Sequence, residues 1–513
     1  MFGSASSLHR LFLSIIIVYA KLVLGSASRC ASFKPPDLEG VALVGKTYFK
    51  ANERVNITNL YSAIDTDTLP AFCRVELVIT TNATAKSSAN TEVWLPDDWN
   101  GRFLATGQGG LAGGGKLLTV ADLGFIAVKQ SFAGVSTDTG HSSNSNDGSW
   151  AGPGNDNAIV DFGWRALHLS VVAGKEVVRS YYDRSATKSY YIGCSTGGRQ
   201  GLKEIQMFPN DFDGIVVGSP ANWMSHLQSW SIHISLNVLP PTSPSFISPT
   251  QWNDVIHPEV LQQCDIIDGL ADGIINDPRL CPFRPETLAC SPGQNTSTCL
   301  TLPQIHALHR IFATYFEANQ TYVFGPYYPG GEAAYTNGLV GAVPFAIPQS
   351  WVQFFVLNDT EWTMDLYNAS VLRLMEEVNP GQADAIETNI TAFAGPSHNG
   401  KILQYVGWAD QLISSGNSIH YYETGGFGAN AFGGAGQAAS GMPPLSFDPE
   451  HNILAALVQW VEQDQAPSSL TAAFWNNNSV TAGLNFTRPL CLFPTRLQFA
   501  GGDPNDPASF ECV

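Results

Sequence analysis

Ser189-Tyr190-Tyr191-Ile192-Gly193-Cys194-Ser195-Thr196-Gly197-Gly198-Arg199-Gln200-Gly201 carries the most informative local pattern in the chain. An aromatic, β-branched run ends in Gly-Cys-Ser-Thr-Gly, and Leu202, Ile205 and Phe208 then recur at spacings of three. The pattern predicts a strand, a sharp turn and a helix. A Gly-x-Ser-x-Gly pentapeptide at such a junction is a nucleophile elbow: the serine hydroxyl stands clear of the sheet while the glycines let strand and helix approach closely. Ser195 is the candidate nucleophile. Chemistry there needs donors for an oxyanion and a histidine held by a carboxylate.

Toward the N-terminus, Trp99 to Gly110 reads as a strand running into glycines. Gly107, Gly109 and Ala112 satisfy a loose dinucleotide pattern, but more glycines follow where a helix is required, and no Gly-Lys-Ser/Thr supports a phosphate loop. A glycine loop after an early strand is instead where an α/β-hydrolase supplies an oxyanion amide, so Gly109 and Gly110 join the Thr196 amide as candidate donors. A plain surface loop is the alternative. Phe125 to Val128 reads as a further strand, Asp161 to Tyr182 as a helix, and Ile215 to Val217 as a strand. Strands alternating with helices predict an α/β class, with a doubly wound, mostly parallel sheet.

Toward the C-terminus, the strand Ile402 to Val406 is followed by Gly407-Trp408-Ala409-Asp410. Asp410 stands where the acid belongs in the chain order Ser, Asp, His. Between residues 223 and 391 the strand and helix rhythm gives way to proline clusters, four cysteines and irregular aromatic runs. That change predicts an inserted lid domain, 223–391, splitting a hydrolase domain into 28–222 and 392–513. Within the insertion, Cys264 to Asp277 sets Asp265, Asp268, Asp272 and Asp277 among two glycines. Such hard oxygen donors suit calcium, although the spacing is not that of an EF-hand. Gly425 to Gly441 reads as a loop, and His451 to Gln463 as an amphipathic helix.

The chain has 513 residues, 44% of them apolar, enough for a large core in more than one domain. A formal charge of −18 argues against nucleic acid or anionic membranes as partners. His9-Arg10, an apolar run from Leu11 to Ala20 and small residues at 25–28 predict a secretory signal, residues 1–27. Nine Asn-x-Ser/Thr sequons suit an extracellular glycoprotein with no membrane attachment after cleavage. Nine cysteines in an oxidising compartment leave one over.

These residues together resemble the tannase and feruloyl esterase family of secreted fungal α/β-hydrolases. The likeness runs from about Cys30 to Cys512. It rests on Trp99-Asn100-Gly101-Arg102-Phe103-Leu104, Ser136-Thr137-Asp138-Thr139-Gly140-His141, Asp161-Phe162-Gly163-Trp164-Arg165-Ala166, Gly193 to Leu202, Phe212-Asp213-Gly214-Ile215-Val216, the acidic loop after Cys264, Gly407 to Asp410, and the terminal Cys491 and Cys512. The resemblance implies hydrolysis of phenolic-acid esters, including plant cell-wall esters, with Ser195 as nucleophile and Asp410 as acid. It also implies a structural calcium ion held by Asp265, Asp268 and Asp272 with the carbonyls of Leu270 and Ile274.

One family segment is missing. Relatives carry the catalytic histidine in a Pro-Gly-Met-Gly-His-Cys block, whose cysteine bridges to the residue before the nucleophile, here Cys194. This chain passes from Tyr421-Tyr422-Glu423 straight to Gly425 and Phe427, text that follows the histidine in relatives. If Cys30 pairs with Cys73, Cys264 with Cys281, Cys290 with Cys299 and Cys491 with Cys512, Cys194 alone remains. The other histidines fit poorly: His141 and His168 precede the serine, His420 lies on the helix after Asp410, and His451 opens a later helix. Three expectations stand: an esterase working without its base, a non-catalytic phenolic-ester or cell-wall-binding protein, or a segment lost as a skipped exon.

Overall fold

The computed structural model describes residues 25–58, 62–113, 119–425, 430–433 and 446–513. Most of the expected signal segment, and the 425–441 stretch apart from residues 425 and 430–433, lie outside the described residues. One eleven-stranded sheet organises the rest. Its strands are β1 (Val41–Phe49), β2 (Phe72–Asn82), β3 (Ser87–Pro96), β4 (Arg102–Thr106), β5 (Ala133–Thr137), β6 (Lys188–Cys194), β7 (Gly214–Gly218), β8 (Lys401–Val406), β9 (Asn430–Gly433), β10 (Ser469–Trp475) and β11 (Leu484–Leu492). They lie in the order β1-β2-β3-β5-β4-β6-β7-β8-β9-β11-β10. The central run from β5 to β9 is parallel. Both flanks are antiparallel.

Alternation along the central strands explains why both faces are covered. Leu104, Tyr190, Val216 and Leu403 point to one side, where the helix Ile453–Gln463 packs Leu454 and Leu457 against them. Phe103, Ala105, Tyr191, Ile215 and Val217 point to the other. There they meet Leu167, Val171 and Val178 of the helix Ala166–Tyr182, and Leu202 and Ile205 of the helix Thr196–Met207. A strand buried on both sides reads as a near-continuous apolar run, and these do.

One expected strand is not a strand. Residues 125–128 lie in helical turns, Leu123–Ala127 and Val128–Gln130, and the strand beside β4 is Ala133–Thr137. The apolar text misled because the buried residues are Leu123, Gly124, Ala127 and Val128, two pairs four apart, which is helical spacing. His451 also falls outside its expected helix, which starts at Ile453 with Asn452 as its cap.

The chain between β7 and β8 supplies most of a second core, which Leu111, Ala151, Ile159, Phe162 and Ile413 join from outside it. Trp230, Trp252, Trp351, Tyr327 and Tyr335 are fully buried there. Four disulfides close Cys30–Cys73, Cys264–Cys281, Cys290–Cys299 and Cys491–Cys512. Cys194 is the free cysteine among the described residues. Thiol titration of the denatured, unreduced protein should count one sulfhydryl, and a count of zero would contradict this pairing.

Behind the elbow helix, His168 Nδ1 lies 2.8 Å from Asp211 Oδ2 and 3.2 Å from Glu204 Oε1, while its ring stacks on Phe208 at 3.4 Å. Burial alone would depress this imidazole, but the bonds from Asp211 and Glu204 outweigh it and raise the group to about 9. A histidine raised in the folded state stabilises fully below its unfolded value of about 6.5, and that contribution fades as pH climbs through about 9. The melting temperature should therefore fall between pH 7 and 9.5, and His168→Gln should flatten that slope. An unchanged slope in the variant would remove the clasp from the account.

Candidate active site

The elbow forms where β6 enters its helix. Ser195 has φ 60° and ψ −120°, a conformation costing a non-glycine residue about 1–3 kcal/mol. Neighbours on every side hold it there. Its N–H donates to Gly218 O at 2.9 Å, and its carbonyl accepts from Arg199 N at 3.1 Å and Ala221 N at 3.0 Å. A Cβ on Gly197 would sit 2.8 Å from Gln108 O, and one on Gly198 would sit 2.7 Å from Gly218 O. Those two glycines are what the turn requires.

The glycine loop after β4 is bolted to the same helix. Gly197 N donates to Gln108 O at 2.7 Å, and Thr196 Oγ1 donates to Gly110 O at 2.7 Å. On its far side, the Leu111 carbonyl accepts from Ser143 Oγ at 3.0 Å, His141 Nε2 at 3.0 Å and Trp150 Nε1 at 3.1 Å. No described residue accepts a hydrogen bond from the amides of Thr196, Gly109 or Gly110.

Asp410 follows β8, two strands from the elbow. Its Oδ1 accepts from Leu412 N at 2.9 Å and Ile413 N at 3.0 Å, and the Ser219 side chain lies beside its carboxylate. Burial raises its pKa, and those three contacts lower it. Ser219 N in turn donates to Tyr405 O at 2.7 Å. The turn Gly218–Ala221 thus lies between Ser195, which it bonds through Gly218 O and Ala221 N, and Asp410. Ser219 was not singled out by the sequence, where it reads as an ordinary Gly-Ser-Pro turn.

No described histidine is hydrogen-bonded to Ser195 or Asp410, and only His9 lies outside the described residues. His141 holds Leu111 O and stacks on Trp150 at 3.6 Å; burial lowers its pKa to about 4. His226 lies between Val323 O and Glu376, and His257 bonds Glu332. His309 bonds Glu286, and His398 bonds Phe212 O. His420 stacks on Tyr322 at 3.9 Å, and His451 Nδ1 lies 2.9 Å from Asp448 Oδ1. Cys194 adjoins Tyr405, and burial pushes its thiol up to about 11.

The acidic loop keeps its carboxylates on its own amides: Asp265 accepts from Gly273 N, Asp268 from Leu270 N and Asp272 from Ile274 N. Asp272 is also paired with Arg488, and Asp268 with Asn276. Burial first, then the charges of Asp272 and Asp265, raise the Asp268 pKa. A cavity of about 50 Å³ lined by Asp268, Asn276 and Asp277 opens beside it. Oxygen donors of this type suit a hard divalent cation, but Asp265, Asp268 and Asp272 do not bring a carboxylate oxygen each within 4.8 Å of one another here.

The sheet order and the strained elbow serine place the chain among the α/β-hydrolases. A profile described as tannase and feruloyl esterase matches residues 73–513, and the chain belongs to that family. A probable feruloyl esterase B-1 of Aspergillus flavus is 36% identical over 467 residues, 86% of each chain. The solved feruloyl esterase B of Aspergillus oryzae superposes with a TM-score of 0.86 at 33% identity, covering 95% of this chain and all of the other. A tannin acyl hydrolase from Aspergillus niger shares the fold at TM-score 0.72 and 21% identity, over 94% of each chain.

Proposed function

We propose that the chain is a secreted carboxylic ester hydrolase acting on phenolic-acid esters through Ser195, with turnover held to a residual level because no histidine meets its nucleophile. The observation that carries this is the engagement of the chain's described histidines away from both Ser195 and Asp410. In acylation, Ser195 Oγ attacks the ester carbonyl, and the oxygen gains charge opposite the Thr196 amide and one from Gly109 or Gly110. The serine proton then has only water or hydroxide to receive it. The residual rate should accordingly rise with pH without a plateau near neutrality.

The insertion between β7 and β8 would form the lid over this centre, and Asp265, Asp268 and Asp272, with the carbonyls of Leu270 and Ile274, would hold calcium there. Bound calcium would neutralise the carboxylates and brace the loop closed by Cys264–Cys281. Chelation should lower the melting temperature, and calcium should restore it. No shift, with no calcium found by elemental analysis, would remove the site.

Calorimetry tests the substrate class. Methyl ferulate and methyl gallate should bind the full chain, and an aliphatic methyl ester of similar size should not. Equal binding of all three, or of none, would overturn the phenolic reading. Phenolic binding with no turnover above the spontaneous hydrolysis rate would instead favour a non-catalytic binding protein.

A further inference from the structure

From the contacts around Gln108 we infer that Gln200 is a positioning residue for the oxyanion loop: its side-chain carbonyl fixes the peptide that aims the Gly109 and Gly110 amides at the ester. The inference rests on the proposed reading of Ser195 as acyl acceptor and adds a residue to it.

Gln200 lies on the elbow helix, five residues after the nucleophile, and is 2% exposed. Its Oε1 accepts the Gln108 N–H at 3.0 Å. Gln108 O accepts from Gly197 N at 2.7 Å, and the Gln108 side-chain amide donates to Thr137 O. Both backbone polar groups of Gln108 therefore end on one helix, and its side chain ends on β5. A peptide clamped at N–H, C=O and side chain cannot rotate, so the chain direction entering Gly109 is set.

The chemistry makes this clamp selective. Three successive amides, Gln108, Gly109 and Gly110, stand at the end of β4. Gln200 takes the first, while no described residue takes the other two. Without the Gln200 carbonyl, the Gln108 N–H would be a buried donor lacking an acceptor, and the loop would turn to satisfy it. The two glycines that follow offer little resistance to such a turn. Oxyanion donors act only at about 2.7–3.1 Å from the charged oxygen, so a modest turn abolishes their effect.

Gln200 Nε2 and Gln108 Oε1 are both buried without a partner among the described residues. The acceptor oxygen of Gln200 is thus the half of its amide that is engaged. Glutamate keeps that acceptor and discards the idle donor, whereas methionine keeps the shape and loses the acceptor. The two substitutions separate a positioning role from simple packing.

The test uses the full chain and two probes, methyl ferulate and an arylboronic acid. The boronic acid forms a bond from Ser195 Oγ to boron, the serine proton passes to solvent, and the tetrahedral boron becomes anionic against the oxyanion donors. With both variants folded by circular dichroism, Gln200→Met should weaken boronate binding about 10²-fold, the scale of a misaimed catalytic group, and leave methyl ferulate affinity within threefold. Gln200→Glu should recover boronate binding to within about fivefold of the parent chain, because its carboxylate accepts the same N–H. Equal boronate affinity in the parent and Gln200→Met, with methyl ferulate still bound, would overturn the positioning role alone. So would an equal loss of both probes in Gln200→Met, or no recovery in Gln200→Glu. Failure of methyl ferulate to bind the parent chain would overturn the underlying functional reading instead.

Discussion

Purified protein should turn over methyl ferulate about 10⁶-fold more slowly than a serine esterase with its triad intact, the loss that follows removal of the histidine alone from such a site. The nucleophile, acid and oxyanion amides act as a unit, and losing the imidazole forfeits nearly all that the unit contributes. What survives comes from binding and from the amides of Thr196, Gly109 and Gly110. Adding free imidazole to the assay should raise the residual rate in proportion to the neutral base. A rate indifferent to imidazole and equal to that of a complete triad would mean that another group accepts the Ser195 proton.

Replacing Arg199 should produce the largest loss of stability. Its guanidinium is completely buried, sits 4.9 Å above the Phe162 ring, and donates to Gly163 O at 2.7 Å, Phe162 O at 3.0 Å and Ala383 O at 3.3 Å. No carboxylate forms an ion pair with it among the described residues. Burial lowers its pKa to about 10, still far above neutrality, so it is charged. It joins the elbow helix to the 161–165 turn and to the insertion at Ala383. Arg199→Ala would strand three buried carbonyls and leave a cavity, at a combined cost of about 3–5 kcal/mol. Arg199→Met should recover part of that by filling the volume. Chemical denaturation of the three proteins measures both differences, and a loss below about 1 kcal/mol in Arg199→Ala would show that the strut is dispensable.

The pentapeptide around Ser195 was legible because it combines a local pattern with a physical demand: only strand, tight turn and helix use glycines in that way. The parallel core followed from the alternation of apolar runs with helical spacing, and β6, β7 and β8 fall where that alternation places them. Residues 125–128 failed for a related reason. Four apolar residues carry no period long enough to distinguish strand from helix, and the deciding pairs, Leu123 with Ala127 and Gly124 with Val128, extend beyond the run.

Ser219, Arg199 and Gln200 show the limit of the sequence at the site. Each acts through contacts with residues far along the chain: Ser219 with Asp410, Arg199 with Phe162, Gly163 and Ala383, and Gln200 with Gln108. Nothing in their immediate neighbours specifies those partners. Asp410 was legible only through its place after a strand, and its support from Ser219 was not. The histidines are the converse case: the sequence lacks the family's histidine block, and no described histidine is hydrogen-bonded to Ser195 or Asp410.

Initial rates of methyl ferulate hydrolysis for the parent chain and Ser195→Ala, measured side by side, decide whether Ser195 stands without a base. Once the base is gone, removing the nucleophile costs little more, so the two rates should agree within about tenfold. Robust turnover in the parent chain that Ser195→Ala abolishes would contradict the account.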